Sequence, residues 1–430
     1  MKLSLFGRWS MALFASLALG LGMTACGGGT IGYMWVLGQQ YNNIAGFKID
    51  DYTGNLTQII TSPFNANGVL PVSLVVKSGG RYVYVVNQGT CPAAGCGTGH
   101  NTGAGVSVYS VGGDGTLSFQ LSYQTQGYDS QWAQMDATGT YLYVLDKYAP
   151  SYVTPTGATN GGYIGPGSAA LGGSITVFST DASTGRLTLV TNSQTLNNNV
   201  NTPFWSVGPT PFMLKVASGC IYSLNSNQSV SAYQVSSSQL VQPQNSGTQL
   251  LNTVNATSIA GGGNFVVITD NQATGGSAGT TPGQILMKTV GTNCNLTTAG
   301  SSLATNNITG TFNPGYSLVD STGKYLYVLN GYTTNTQTTT AFSSISAFTI
   351  NSTNSNLVAI SGSPYTVGSG PVCISEDPTN QYMYISNFND GTVTGKVLDP
   401  TTGILSTLSR GSTFNTVGKP TCLAISGSVG

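Results

Sequence analysis

A short run of alternating tyrosine and aliphatic residues ending in Asn or Asp returns along the chain, and it fixes the architecture. The copies are Arg81-Tyr-Val-Tyr-Val-Val-Asn87, Tyr141-Leu-Tyr-Val-Leu-Asp146, Cys220-Ile-Tyr-Ser-Leu-Asn225, Asn264-Phe-Val-Val-Ile-Thr-Asp270, Lys324-Tyr-Leu-Tyr-Val-Leu-Asn330 and Gln381-Tyr-Met-Tyr-Ile-Ser-Asn387. Aromatic and β-branched residues over five or six positions form strands. Another short strand and a turn precede each run, as in Pro71-Val-Ser-Leu-Val-Val. A variable loop and an alternating strand follow, such as Val106-Ser-Val-Tyr109. A Gly/Asp turn, such as Asp181-Ala-Ser-Thr-Gly185, leads into a fourth strand.

The unit is therefore four antiparallel strands, and copies begin near Pro71, Trp132, Pro211, Ala256, Pro314 and Pro371. The termini supply one more. Tyr33–Leu37, Ile44–Lys48 and Leu56–Ile60 read as second, third and fourth strands, and Pro420–Ile425 as their missing first. Such a blade cannot bury both faces alone, so blades pack radially and the ring closes. The sequence predicts an all-β, seven-bladed β-propeller over residues 33–430, closed by the C-terminal strand joining the N-terminal blade. A six-bladed ring with a separate N-terminal hairpin is the alternative. The repeat is about 58 residues, above the roughly 40–50 of common blades, and the excess falls in loops.

Composition narrows the function. Lys+Arg is 13 and Asp+Glu is 13, so 6% of residues are charged. Nucleic-acid binding needs a basic footprint that this chain lacks. His100 is the sole histidine, and Glu376 the sole glutamate. No cofactor or metal is implied. Residues 1–25 read as a lipoprotein signal peptide, with Lys2 and Arg8 before an apolar run too short to span a bilayer. Met23-Thr24-Ala25-Cys26 resembles a bacterial lipobox, so Cys26 is the expected lipidation site and residues 26–32 a Gly-rich tether. The expected location is the bacterial cell envelope, lipid-anchored through Cys26, with outer membrane or surface favoured.

The runs around Tyr84–Asn87, Tyr143–Asp146, Tyr327–Asn330 and Tyr384–Asn387 resemble those of the lactonase family of seven-bladed propellers, close to YVTN-repeat and 6-phosphogluconolactonase-like proteins. The turns at Gly115-Thr116-Leu117 and Gly185-Arg186-Leu187 add to the likeness, as do Ser62-Pro63-Phe64 and Ser363-Pro364-Tyr365. The resemblance implies a propeller and, if an enzyme, lactone hydrolysis. Studied relatives use a histidine, arginines and a glutamate around one mouth of the ring. Arg81, Arg186 and Glu376 fall at turns on the opposite face, and Arg410 lies in or beside a fourth strand. His100 as general base, oriented by Asp129 or Asp146, is the weak catalytic candidate set.

Long inserts share one face: Gln88–Gly105, Lys147–Gly173, Asn271–Gly283 and Gly331–Ser344. Loops on a rigid scaffold are where binding usually sits. Trp132, Tyr148, Trp205, Asp270 and Tyr332, with Tyr152 and Tyr163, are the expected ligand-binding residues there. They would suit a neutral glycan, a peptide or a partner protein. Asp146 and Asp270 read equally as loop caps, like Asn87, Asn225, Asn330 and Asn387. The main functional expectation is a non-catalytic binding module, with a lactonase-like hydrolase and a structural envelope protein as alternatives. Without Cys26 the cysteines number six. Spacing and topology predict disulfides Cys91–Cys96 and Cys220–Cys294, and place Cys373 beside Cys422 as a bond or as adjacent thiols.

Overall fold

The structure is a computed structural model that describes residues 29–96, 100–150, 172–193, 195–196, 200–201, 203–236, 239–241, 248–271, 283–300, 303–304, 314–331 and 343–427. The signal peptide, Cys26, Tyr152, Tyr163 and Tyr332 lie outside the described residues.

Seven sheets, each the product of one repeat, form the ring. Blade 1 is ordered Leu56–Gln58, Asn43–Asp50, Thr30–Gly38, Pro420–Gly427, so both termini build it. The closing strand runs antiparallel to Thr30–Gly38, with Tyr33 opposite Ser426, Trp35 opposite Ala424 and Val36 opposite Leu423. The innermost strands of blades 2–7 are Pro71–Val76, Tyr128–Met135, Pro211–Ala217, Ala256–Gly262, Pro314–Val319 and Pro371–Glu376. Blade 3 thus starts at Tyr128, upstream of the expected Trp132. Each innermost strand slips register near its start, as between Pro71 and Ser73. Such a bulge adds twist where strands converge on an axis.

One element was not foreseen. In six of the seven sheets a further two- or three-residue strand, such as Phe64–Asn65, pairs with the third strand on the way to the next blade. In blade 2 the long outer strand Leu117–Tyr123 occupies that edge instead.

The tyrosine runs exist to pack blades. The Tyr84 hydroxyl of blade 2 donates to the Gly185 carbonyl in the outer turn of blade 3, at 3.0 Å. Tyr327 of blade 6 donates to Gly403 of blade 7 at 2.8 Å, and Tyr384 of blade 7 to Gly54 of blade 1 at 2.6 Å. In blade 1 the tyrosine is replaced by Trp35, whose Nε1 donates to Gly115 of blade 2 at 3.1 Å. The rings are fully buried, so each bond is made where an unmade one would be costly. Between blades 4 and 5 the glycine position is taken by Cys294, with φ +61°, and the tie is the Cys220–Cys294 disulfide, Cα–Cα 5.7 Å.

The other two predicted pairs also form. Cys91–Cys96 closes its loop with Cα–Cα 4.6 Å, and Cys373–Cys422 joins the innermost strands of blades 7 and 1 with Cα–Cα 5.2 Å.

Candidate functional site

The Asn or Asp at the end of the second strand in blades 2–7 is a clamp. Asn225 Nδ2 donates to Ser229 and Ser231 Oγ at 3.0 and 3.1 Å, Asn330 Nδ2 to Ser344 and Ser346 at 3.0 and 2.9 Å, and Asn387 Nδ2 to Thr392 and Thr394 at 3.0 and 2.9 Å. These bonds fix the second strand to the third. Asp146 does the same as an acceptor. Ser130 Oγ donates to it at 2.7 Å, Thr176 Oγ1 at 2.9 Å and the Gly127 amide at 3.1 Å. Asp270 accepts the Val254 and Asn255 amides at 2.9 and 2.8 Å and Gln284 Nε2 at 2.9 Å. Both carboxylates are fully buried. The structure places Asp146 and Asp270 as caps of their own loops.

Burial pushes the Asp146 carboxyl up to about 6, despite its three donors. Between about pH 4 and pH 6 the folded protein holds a proton that the unfolded chain has released. Stability therefore falls as pH rises through that window. Above it the cost is on the order of 2–3 kcal/mol. Asp146→Asn, which installs the clamp used by four other blades, is expected to raise the melting temperature at pH 7 and flatten the pH 4–6 decline. Denaturant unfolding across pH 4–8 checks this, and an unchanged slope refutes it.

At the long-loop end of blade 3 the structure brings together His100, Asp129 and Tyr148. The His100 ring packs edge-on against Tyr128, centroids 4.8 Å apart, and loss of hydration lowers its pKa. Asp129 is buried with φ +61°, and Lys147 Nζ lies 3.6 Å from its Oδ2 and 5.4 Å from the centre of the Tyr148 ring. Asn101 Nδ2 donates to Asp129 Oδ1 at 3.5 Å. No hydrogen bond joins His100 to Asp129 among the described residues, and the crevice between them is too narrow for a water molecule. The Lys147–Asp129 pair and the Asn101 bond hold this corner in place.

Trp205 is buried in the core between blades 3 and 4, where its short strand pairs with Ile175. Its ring presents no surface to a ligand. Trp132, expected just before the first strand of blade 3 on the long-loop side, is inside that strand, Tyr128–Met135. Its ring meets Tyr316 of blade 6 across the ring axis, centroids 6.0 Å apart and planes 39° apart. The bulge between Ser130 and Trp132 turns the indole toward the axis.

Below this aromatic pair an axial cavity of about 450 Å³ runs toward the turns that join first to second strands. This is the face opposite the long loops. The Cys373–Cys422 bridge forms part of the wall, and Ser78 and Asp136 lie at the rim. Asp136 is committed to its own turn, its Oδ1 accepting the Thr140 and Tyr141 amides at 2.8 and 2.7 Å. Glu376 is likewise engaged, accepting the Ser321 amide and hydroxyl at 2.7 and 3.0 Å. Gln134 Oε1 accepts the Val216 amide at 3.2 Å, which ties blade 3 to blade 4.

Lys215 is the residue the sequence reading missed. It is the fifth residue of the innermost strand of blade 4, opposite Tyr222, and it lines the axial cavity. Its stem passes Gly261 of blade 5, where an added Cβ would stand 3.5 Å from Lys215 Cε. The ion pair found among the described residues is Lys147–Asp129, and Lys215 makes none with them. Water reaches the amine only inside the channel, and the lost hydration lowers its pKa. The same effect raises the Tyr316 phenol to about 12, so it stays protonated and able to donate. A signal was present in the sequence: Lys215 occupies the register where other innermost strands carry Val75, Ala260, Leu318 and Ala424.

The fold is a seven-bladed β-propeller tied by disulfides. Residues 288–424 match the family model described as Lactonase, 7-bladed beta-propeller. The periplasmic gluconolactonase of Pseudomonas aeruginosa is similar in structure, with TM-score 0.64 and 15% identity over 92% of this chain and 99% of that one. A Bacteroides fragilis protein carrying the 6-phosphogluconolactonase designation gives TM-score 0.63 and 15% identity over 92% and 98%. No curated protein matches the sequence. The resemblance read from the tyrosine runs stands, and the likeness at these identities is one of fold.

Proposed function

We propose that the protein is a lactonase-like hydrolase whose substrate enters the axial cavity from the short-turn face. The observation that carries this reading is the unpaired Lys215 amine in a cavity of monosaccharide size. Hydrolysis of a lactone adds water to the carbonyl carbon, and the ring oxygen then leaves. Negative charge develops on the carbonyl oxygen, and Lys215 is the cation placed to stabilise it where the arginines are not: Arg81, Arg186 and Arg410 are all exposed at the periphery. Trp132 and Tyr316 floor the cavity and offer an apolar face with two donors. The family match and the neighbours described as lactonases support this reading over the non-catalytic module. A binding role remains the second reading, favoured by the absence of a free carboxylate facing the cavity, since Asp136 is consumed by its turn.

The test is hydrolysis of a panel of five- and six-membered sugar lactones, followed by pH-stat. Lys215→Met is expected to lower the rate about a hundredfold or more. Wild-type protein that opens none of them, or a variant that keeps full activity, rejects the proposal. An envelope location with acylated Cys26 is part of the same proposal, resting on the lipobox-like Met23–Cys26; an intact mass of the membrane fraction showing unmodified Cys26 removes it.

A further inference from the structure

We infer that the axial cavity is a binding site for a small, hydroxylated monocarboxylate, with its carboxylate on Lys215. The inference builds on the lactonase-like reading, because opening a lactone yields a hydroxy acid, yet it does not require the protein to catalyse that opening.

The argument starts from the cost of the lysine. A cation removed from bulk water is paired or loses its charge. Lys215 sits at a level of the channel otherwise supplied by Val75, Ala260, Leu318 and Ala424, with Gln134 and Ser375 as its polar members. Asp136, the carboxylate at the same cavity, has its Oδ1 filled by two backbone amides and its Oδ2 by Thr138. Lys77, just past the innermost strand of blade 2, donates to Gly139 and Thr180. Asp136 keeps its charge through its turn bonds, but that charge acts on Lys77, so Lys215 is left as the cation without a charged partner among the described residues.

That count sets the ligand's charge. A phosphate dianion would call for a second cation or an arginine fork, and none of the described arginines reaches the cavity. A single carboxylate balances a single ammonium. The remaining groups set its character. Trp132 Nε1 and the Tyr316 hydroxyl make no hydrogen bond to the described residues, and Gln134 keeps its amide N–H groups after its oxygen is taken by Val216. Together they present donors to hydroxyl oxygens beside an aromatic surface. The volume of about 450 Å³ has room for a six-carbon hydroxy acid.

Calorimetry or protein-observed NMR with gluconate, its neutral isostere gluconamide, glucose and gluconate 6-phosphate tests this on the full wild-type protein. Gluconate is expected to bind at least about tenfold more tightly than gluconamide or glucose. Lys215→Met is expected to lose that preference while melting no lower than wild type, since it removes an unpaired cation. Equal binding of gluconate and gluconamide overturns the inference. So does tighter binding of gluconate 6-phosphate, or a Lys215→Met protein that keeps the preference. The isostere comparison needs no variant and stands if Lys215→Met fails to fold. Gluconate binding without lactone turnover would reject the hydrolase and keep this site; turnover without carboxylate preference would do the reverse.

Discussion

A chain ending at Lys419 is expected to lose its cooperative folded state. Pro420–Gly427 is the innermost strand of blade 1 and supplies that blade's wall of the axial cavity. Removing it strips the ladder against Thr30–Gly38, at about 1 kcal/mol for each backbone hydrogen bond. It exposes the partners of buried Leu423, worth about 2 kcal/mol. It also deletes Cys422 and with it the constraint on a 49-residue separation, about 4 kcal/mol in the loop-entropy picture. The sum is comparable to the roughly 5–15 kcal/mol that holds a whole domain. Circular dichroism melts and near-ultraviolet spectra of the truncated chain read the outcome. Cys422→Ser in the full chain should instead leave a folded ring that unfolds faster. A truncated protein that melts within a few degrees of wild type would show that the ring does not depend on this closure.

The second large effect is expected at Gly403. It sits in the outer turn of blade 7 with φ +73°, and its carbonyl accepts the buried Tyr327 hydroxyl of blade 6. A Cβ there would lie 2.5 Å from Tyr325 Cδ1 and 2.7 Å from Ile360 Cδ1. Gly403→Ala therefore combines a left-handed backbone penalty of about 1–2 kcal/mol with overpacking of about 1–3 kcal/mol. We expect a loss of about 3 kcal/mol in urea unfolding with an unchanged m-value. Gly79, also at positive φ but with no atom within 4 Å of an added Cβ, is the control: Gly79→Ala should show the backbone penalty alone. Equal losses at the two sites would refute the interblade account.

Both effects rest on features legible in the sequence. The tyrosine runs, the Gly-X-Leu turns and the matching Pro-Val-Cys and Pro-Thr-Cys segments are local signals, repeated because every blade solves the same packing problem with the same register. Repetition gave seven blades, the closing strand and the cysteine pairs before any coordinate. It also marked the Asn and Asp at the ends of the second strands as caps.

The candidate site was not written that way. Trp132 and Tyr316 are 184 positions apart in number and meet because blades 3 and 6 lie across the ring from each other. Lys215 looks like an ordinary lysine in Phe212-Met-Leu-Lys-Val-Ala217, and Trp205 like an exposed aromatic in a loop. Long inserts mark one face, but loop length reports tolerance at the surface and says nothing about what seven innermost strands enclose. By itself the sequence determined the blade, its count and its ties, since these follow from short-range periodicity and turn chemistry. Only the tertiary structure decided which side chains share the axis, that Lys215 is one of them, and that the cavity opens away from the long loops, because those facts depend on closing the ring and on a one-residue bulge in each innermost strand.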